Sequence, residues 1–249
     1  MNPLFSKDSL RYLEALSFTQ TLYAFDFDGT LSPLVSTPAA ASVSRITASL
    51  MQDLCRAVPV AIVSGRSRSD LEERLPFAPR FIVGNHGLEG LGVRRSSMEE
   101  ARRACDRWRA ILERRCLGTG VEIEVKTYSL AIHYRRSRNK KSARTEIQEV
   151  IQEFSPKPRL VLGKSVVNVL PQGAPHKGIA TLELMKRAGT RSALYLGDDD
   201  TDEDVFGIPD PRIMTVRVGY KRFSHARFFI DRQSQVNQVI RTLLRYASA

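Results

Sequence analysis

Acidic side chains follow two apolar runs of this sequence, where the chain would leave a buried strand. Asp26 and Asp28 end the run that begins at Thr21, and Asp198 follows the run that begins at Ser192. Residues two apart on an extended chain share a face, so Asp26 and Asp28 would project to the same side. Clustered carboxylates repel one another unless a cation neutralises them, and Mg²⁺ favours oxygen ligands of this kind. The spacing therefore predicts a divalent-cation site that suits Mg²⁺.

Donors suited to an anion occur at two other points of the chain. Ser64 and the backbone N–H of Gly65 lie at an expected strand-to-helix turn, where helix N-terminal N–H groups bind phosphate oxygens. Lys177 opens an expected helix, and its ammonium group would act as a point charge on the same oxygens. Together with the carboxylates, these residues indicate a phosphate group held between a cation and fixed donors.

The elements that must position these residues alternate between strand and helix. Apolar runs typical of buried parallel strands cover residues 21–27, 58–63 and 80–83, and helical spacing covers residues 43–56 and 69–75. This order predicts an α/β fold, with a doubly wound parallel sheet in a Rossmann-like core. Ligands of such sheets bind at the carboxyl ends of the strands, so we expect residues far apart in sequence to meet in one crevice.

The pattern changes in the middle of the chain. A helix, two strands, a second helix and two more strands are expected between residues 92 and 172, which is enough chain for a separate core. We therefore expect an inserted α+β domain at 92–172, with residues 1–91 and 173–249 forming the core domain. The inserted segment has 18 Lys or Arg against 9 Asp or Glu, in a chain of net charge +11. This excess favours anionic ligands.

Four short motifs resemble those of the haloacid dehalogenase-like phosphohydrolases. In chain order they are Asp26-Phe27-Asp28-Gly29-Thr30-Leu31, Ser64, Lys177 and Gly197-Asp198-Asp199. The resemblance implies a phosphoric monoester hydrolase with a cap domain inserted between the second and third motifs. It implies that Asp26 attacks phosphorus, that Asp28 protonates the leaving oxygen and then activates water, and that Ser64 and Lys177 complete the catalytic set. It also implies Mg²⁺ ligands at Asp26, Asp28 (through its backbone carbonyl) and Asp198, with Asp202 nearby.

Further motifs are similar to those of the trehalose-6-phosphate phosphatase family. They are Gly84-Asn85-His86-Gly87-Leu88-Glu89, Lys126, His133-Tyr134-Arg135 and the stretch from Gly197 to Asp204 followed by Phe206. This narrower resemblance implies hydrolysis of trehalose 6-phosphate to trehalose and phosphate, the last step of trehalose biosynthesis. The substrate contacts that it implies are Thr30, Gly65, Arg66, His86, Glu89, Lys126, His133, Arg135 and Asn168.

Asn168 and Leu170 depart from that family, which usually has Glu and a basic residue at these two places. An amide oxygen accepts hydrogen bonds from sugar hydroxyls more weakly than a carboxylate does. The alternative is therefore a phosphatase of the same fold that acts on a different sugar phosphate or on a phosphoglycerate ester.

A nucleic-acid-binding module is the third hypothesis, because arginine pairs in the insert would attract backbone phosphates. No aromatic-rich strand face accompanies this charge, and binding alone leaves the acidic residues unexplained. We therefore expect a small sugar phosphate as the partner, with no nucleic acid and no membrane, and a monomer is favoured.

The composition of the chain also bears on its expected cellular location. The apolar stretch from Val58 to Val63 is far too short to span a bilayer, and the first eleven residues hold no apolar signal core. Three cysteines (Cys55, Cys105 and Cys116) form an odd, sparse set that is typical of reduced thiols. We expect a cytoplasmic protein.

Overall fold

The computed structural model of the chain describes residues 1–35, 37–92, 95–115, 120–163 and 165–247. The chain divides into two compact units. The first unit is Met1–Leu91 with His176–Ala249, and the second unit is Gly92–Pro175. The chain returns to the first unit at His176, a few residues after the expected return at residue 173.

Strands and helices alternate through most of the described residues. The strands are β1 (Asn2–Pro3), β2 (Thr21–Phe25), β3 (Val60–Val63), β4 (Phe81–Val83), β5 (Glu122–Lys126), β6 (Ser129–His133), β7 (Pro158–Gly163), β8 (Val166–Pro171), β9 (Ser192–Gly197), β10 (Ile213–Val218) and β11 (Phe228–Ile230). The helices are α1 (Lys7–Ser17), α2 (Arg45–Ala57), α3 (Arg68–Arg74), α4 (Arg95–Arg115), α5 (Lys140–Ile151), α6 (Lys177–Ala188), α7 (Glu203–Phe206) and α8 (Val236–Ala247).

A seven-stranded sheet forms the centre of the first unit. Its strand order is β1-β11-β10-β9-β2-β3-β4, and every neighbouring pair is parallel. Tyr23 and Phe25 of β2 belong to a large apolar cluster that also includes buried residues of α1, α2 and α8. Leu22 and Ala24, which point to the opposite face, are also fully buried. Both faces are covered, as expected for a parallel sheet, and the α/β prediction is confirmed.

The edges of several elements differ from the sequence-based expectation. Strand β2 ends at Phe25, so Asp26 and Asp28 lie on the loop that follows it rather than on the strand. The chain turns at Gly29, whose φ of +74° is a left-handed value that favours glycine. Helix α1 was not predicted, although Ser6 caps its first turn by accepting a hydrogen bond from the Ser9 N–H.

The second unit is an antiparallel sheet packed on two helices, as predicted for the insert. The strand order is β5-β6-β8-β7, and its apolar core includes residues of α4 and α5. Trp108 of α4 is fully buried and stacks on Phe154 with ring centroids 5.7 Å apart. Its indole N–H donates to the Pro156 carbonyl at 3.0 Å. Helix α5 ends at Ile151, earlier than expected, and this allows Phe154 to enter the core.

Two further observations concern membrane-spanning helices and cysteines. No described helix combines the length and the apolar character needed to cross a membrane. Cys55 and Cys105 are free thiols, and burial raises the pKa of both. Cys116 lies outside the described residues.

Candidate active site

Neighbouring strands bring two of the acidic motifs together. Phe25 of β2 lies opposite Leu196 of β9 in the sheet register, and the Asp26 N–H donates to the Leu196 carbonyl at 2.9 Å. Sequence order reverses between these two strands, and in open α/β sheets a ligand crevice forms at such a point. Asp26 and Asp198 therefore meet at the carboxyl edge of the sheet.

Three carboxylates form a tight group at this edge. Asp26, Asp198 and Asp202 each offer an oxygen, and these atoms lie within 4.8 Å of one another. The sequence pattern had predicted Asp28 as the third member through its side chain. The structure brings Asp202 into this group, which the family resemblance had placed nearby, whereas the Asp28 carboxylate is paired with Arg66.

Lys177 is the counter-charge of this group. It is 2% exposed, and its Nζ lies 2.9 Å from Asp26 Oδ1 and 2.8 Å from Asp202 Oδ1. Burial alone would lower the pKa of Lys177, but the two carboxylates raise it above its ordinary value. The lysine therefore stays charged beside Asp26.

One ammonium does not balance three carboxylates. Burial raises the pKa of both Asp26 and Asp198, and the neighbouring carboxylates raise it further. Asp198 Oδ1 is buried and accepts no hydrogen bond from the part of the chain that the structure describes. A hard divalent cation would satisfy that oxygen and offset the excess negative charge, so this donor set fits a metal ion.

Both carboxylate oxygens of Asp202 accept hydrogen bonds from the protein. Oδ1 accepts from Lys177 and from the Tyr195 hydroxyl at 2.7 Å. Oδ2 accepts from the backbone N–H groups of Asp198 at 2.8 Å and Asp199 at 2.9 Å. A Cβ at Gly197 would lie 2.2 Å from the Asp202 carboxyl carbon, so only glycine allows this approach. Asp202 thus organises the loop beside the carboxylate group.

Asp28 is held by Arg66 in a two-point ion pair. Arg66 Nε and Nη2 donate to the two Asp28 oxygens, each at 2.7 Å. Arg66 Nη1 donates to Asp70 at 2.8 Å, and the guanidinium lies over the Phe27 ring. Arg66 was predicted as a substrate contact, and that stays a prediction; in the structure its guanidinium orients Asp28. A two-point pair of this type fixes the carboxylate plane as well as its position.

The loops after β3 and β4 bring Ser64, Gly65 and His86 together. Ser64 is buried, and its carbonyl accepts the His86 N–H at 3.0 Å. A Cβ at Gly65 would lie 2.5 Å from the His86 ring, so glycine is required there. Asn85 and His86 both have positive φ values, of 47° and 58°. The loop conformation is therefore a strained one held by its contacts.

Two other core-edge candidates differ in their environment. The Thr30 hydroxyl is buried and has no hydrogen-bond partner among the described residues. The Glu89 carboxylate accepts from the Arg68 N–H at the start of α3. Glu89 therefore joins two loops of the first unit, a role that the sequence did not indicate.

Sequence reasoning missed Asn85, Tyr195 and Arg217. Asn85 is fully buried, and neither polar atom of its side chain has a partner among the residues described. Tyr195 and Arg217 were hidden inside apolar strand runs. Two signals were available: Asn85 lies within the motif from Gly84 to Glu89, and Arg217 is a charge in the otherwise uncharged run of β10.

The second unit carries four of the predicted substrate contacts. Lys126, His133 and Asn168 lie on the sheet face opposite the helices. His133 and Asn168 alternate with Ile132, Val167 and Val169 of the apolar core, and Lys126 pairs with Ser129 on the same face as His133. His133 Nε2 lies 2.9 Å from Glu124 Oε2, and Asn168 Nδ2 donates to the Val161 carbonyl at 3.3 Å. Arg135 follows β6 and is exposed. The sheet thus groups three of the four on one surface.

The parallel sheet, the carboxylate group at its carboxyl edge and the inserted α+β unit define a member of the haloacid dehalogenase-like fold. A family model described as trehalose-phosphatase matches residues 24–224. The chain belongs to the trehalose-phosphatase family, as its motifs predicted.

Relatives and solved structures agree with this assignment. The chain is 30% identical over 242 residues to a trehalose-phosphate phosphatase of Mycobacterium marinum, covering 90% of this chain and 61% of that protein. It is 28% identical over 201 residues to a probable trehalose-phosphate phosphatase 4 of Oryza sativa subsp. japonica, covering 74% and 54%. The chain thus spans about three fifths or less of the length of these relatives.

Solved structures share the fold. The C-terminal domain of a C. albicans trehalose-6-phosphate phosphatase superposes with a TM-score of 0.75 at 23% identity, covering 98% of each chain. The sucrose-phosphatase from Synechocystis sp. PCC6803, solved with sucrose and phosphate, gives 0.62 at 17% identity, covering 92% of this chain and 98% of that one. At these identities the likeness shows the fold alone.

Proposed function

We propose that this chain hydrolyses trehalose 6-phosphate to trehalose and phosphate through an aspartyl-phosphate on Asp26. The observation that carries this proposal is the position of Asp26, buried at a strand end 2.9 Å from Lys177 and within a group of three carboxylates. Family membership supports the substrate and the covalent route, and the placement of Asp26 beside Lys177 supports that route.

Asp26 is the nucleophile in this proposal. One of its oxygens attacks phosphorus while the sugar oxygen leaves, and the resulting aspartyl-phosphate is then hydrolysed by water. Asp28 gives a proton to the leaving oxygen and later takes one from the attacking water. Lys177, with Ser64 and the Gly65 N–H, offsets the charge on the phosphoryl oxygens.

Mg²⁺ is the cofactor that this donor set suits. Asp26 and Asp198 would hold it through carboxylate oxygens, with the Asp28 carbonyl as a third donor and Asp202 behind them. When bound, the ion would neutralise charge on the transferring phosphoryl group and on the clustered carboxylates. The raised pKa of Asp198 and its buried, unsatisfied oxygen support this assignment.

We assign the first unit as the phosphatase core domain and the second as the cap domain. Of the substrate contacts that the family resemblance implies, Lys126, His133, Arg135 and Asn168 belong to the second unit, and Thr30, Gly65, Arg66, His86 and Glu89 belong to the first. The small number of cysteines, two of them free thiols, supports a cytoplasmic location.

Phosphate release from a panel of phosphorylated sugars, with Mg²⁺ and with EDTA, tests the proposal. We expect trehalose 6-phosphate to give the highest kcat/KM, and EDTA to abolish release until Mg²⁺ is restored. Strong cleavage of another ester with none of trehalose 6-phosphate would favour the alternative substrate. Asn168 and Leu170 are the observation that keeps this alternative open, since both differ from the usual family residues.

A further inference from the structure

Arg217 is a buried arginine that the proposed chemistry does not use. It lies in β10, where every residue is buried, and its side chain is 8% exposed. Nη1 donates to the Asp199 carbonyl at 3.1 Å and to Glu203 Oε1 at 3.0 Å, and Nη2 donates to the Asp198 carbonyl. Burying a guanidinium is costly unless its hydrogen bonds are made, so this placement needs a reason.

The bonds of Arg217 complement those of Asp202. Asp202 Oδ2 accepts the backbone N–H groups of Asp198 and Asp199, while Arg217 binds the carbonyls of the same two residues. Both N–H groups and both carbonyls are therefore held by charged side chains of opposite sign. The backbone at Asp198 is therefore held at both its N–H group and its carbonyl. The Asp198 carboxylate can still move mainly by rotation about its side-chain bonds.

We infer that Arg217 is a positioning residue that aims the Asp198 carboxylate at the divalent cation. The inference rests on the proposed function, because it takes Asp198 as a metal ligand. Arg217 acts through the backbone of residues 198 and 199 and touches neither substrate nor cation. Ligand oxygens that are already oriented bind a cation more tightly, so a loosened loop would lower metal affinity.

Direct Mn²⁺ binding tests this role without relying on turnover. Free Mn²⁺ is measured by electron paramagnetic resonance during titration of the whole chain, for wild type, Arg217→Met and Arg217→Lys, together with the Tm of each apoprotein. We expect the Kd for Mn²⁺ to rise at least about tenfold in Arg217→Met and less in Arg217→Lys, because a lysine reaches one carbonyl but does not span two.

Arg187→Met is the matched control. Arg187 also donates to two backbone carbonyls, those of Gly90 and Leu91, and to one glutamate, Glu183. Its loss removes the same kinds of bonds at another place in the first unit. We expect its Mn²⁺ Kd to stay within about twofold of wild type even where its Tm falls as far as that of the Arg217 variants.

The outcomes separate this inference from the proposed function. Wild type that binds Mn²⁺ and releases phosphate, with Arg217→Met binding Mn²⁺ equally well, would overturn the positioning role alone. If Arg217→Met does not fold, unchanged affinity in Arg217→Lys overturns it. Wild type with neither Mn²⁺ binding nor phosphate release would overturn both.

Discussion

The four aspartates of the site differ mainly in their partners. Asp26 and Asp202 share the buried Lys177, whereas Asp28 is bonded by Arg66. Asp198 has a buried oxygen that no described residue bonds. One residue type therefore has four different surroundings. In the proposed function these correspond to a nucleophile (Asp26), a loop anchor (Asp202), a proton carrier (Asp28) and a metal ligand (Asp198).

Asp26→Asn should abolish turnover while leaving substrate binding in place. An amide of the same shape is a very weak nucleophile, so we expect kcat to fall by about 10⁴-fold or more. The time course of phosphate release measures kcat, and isothermal titration calorimetry with trehalose 6-phosphate measures binding. An Asp26→Asn variant that keeps a tenth of wild-type turnover would refute the covalent route.

Arg66→Met should affect esters with poor leaving groups most. Without Arg66 the Asp28 carboxylate loses its fixed plane, and a sugar oxygen needs its proton whereas nitrophenolate does not. We expect kcat/KM to fall by about 10²-fold for trehalose 6-phosphate and by only a fewfold for p-nitrophenyl phosphate. Arg74→Met is the control, since Arg74 also binds Asp70 but does not bind Asp28. Equal losses on both esters would show that Arg66 serves another purpose.

Motif spacing placed Asp26, Asp198 and Lys177 correctly at one sheet edge, because parallel strands impose that edge on any such sequence. It did not predict that Arg66 pairs with Asp28 or that Asp202 anchors a loop. These choices depend on side-chain directions that arise only when β2, β3 and β9 are packed. The sequence therefore predicted which residues form the site, but it did not predict which of their side chains pair with one another.

At the scale of elements, the adjacency of β2 and β9 creates the site. Their alternation with helices and their apolar runs made the α/β sheet predictable from sequence. The ends of elements were less predictable: β2 stops at Phe25 and α5 at Ile151, each a few residues before the end that the apolar pattern predicted. The short β1 has too few residues for any pattern, and it forms only by pairing with β11.

Asn168 of β8 allows a test of sugar specificity. The Asn168 amide donates to Val161 of β7, which leaves its oxygen as the acceptor for a hydroxyl. Asn168→Glu should lower KM for trehalose 6-phosphate several-fold, because a carboxylate accepts stronger hydrogen bonds. Steady-state kinetics measure the change, with Asn168→Gln as the neutral control of equal length. If KM and kcat stay at wild-type values in Asn168→Glu, this position does not determine specificity.

At the scale of the molecule, two apolar cores are separate. The first unit is built around the parallel sheet, and the second around Trp108, the only tryptophan of the chain. Tryptophan fluorescence therefore reports the unfolding of the second unit specifically.

Core truncations in the two units should act on different signals. Ile147 and Leu54 are fully buried, one in each core. Ile147→Ala should lower the free energy of unfolding seen by tryptophan fluorescence by about 2–5 kcal/mol, whereas Leu54→Ala should leave that transition nearly unchanged. Urea titrations followed by fluorescence and by far-UV circular dichroism measure both. Identical shifts of the fluorescence transition in the two variants would mean that the units unfold as one.

Trapping the covalent intermediate tests the central claim most directly. The chain is mixed with ³²P-labelled trehalose 6-phosphate and Mg²⁺, stopped with acid within one turnover, and digested for peptide mapping. The account predicts an acid-stable, hydroxylamine-labile label on the peptide that contains Asp26, and its loss in Asp26→Asn. Full phosphate release with no labelled protein at any time, or a label mapped to another residue, would contradict it.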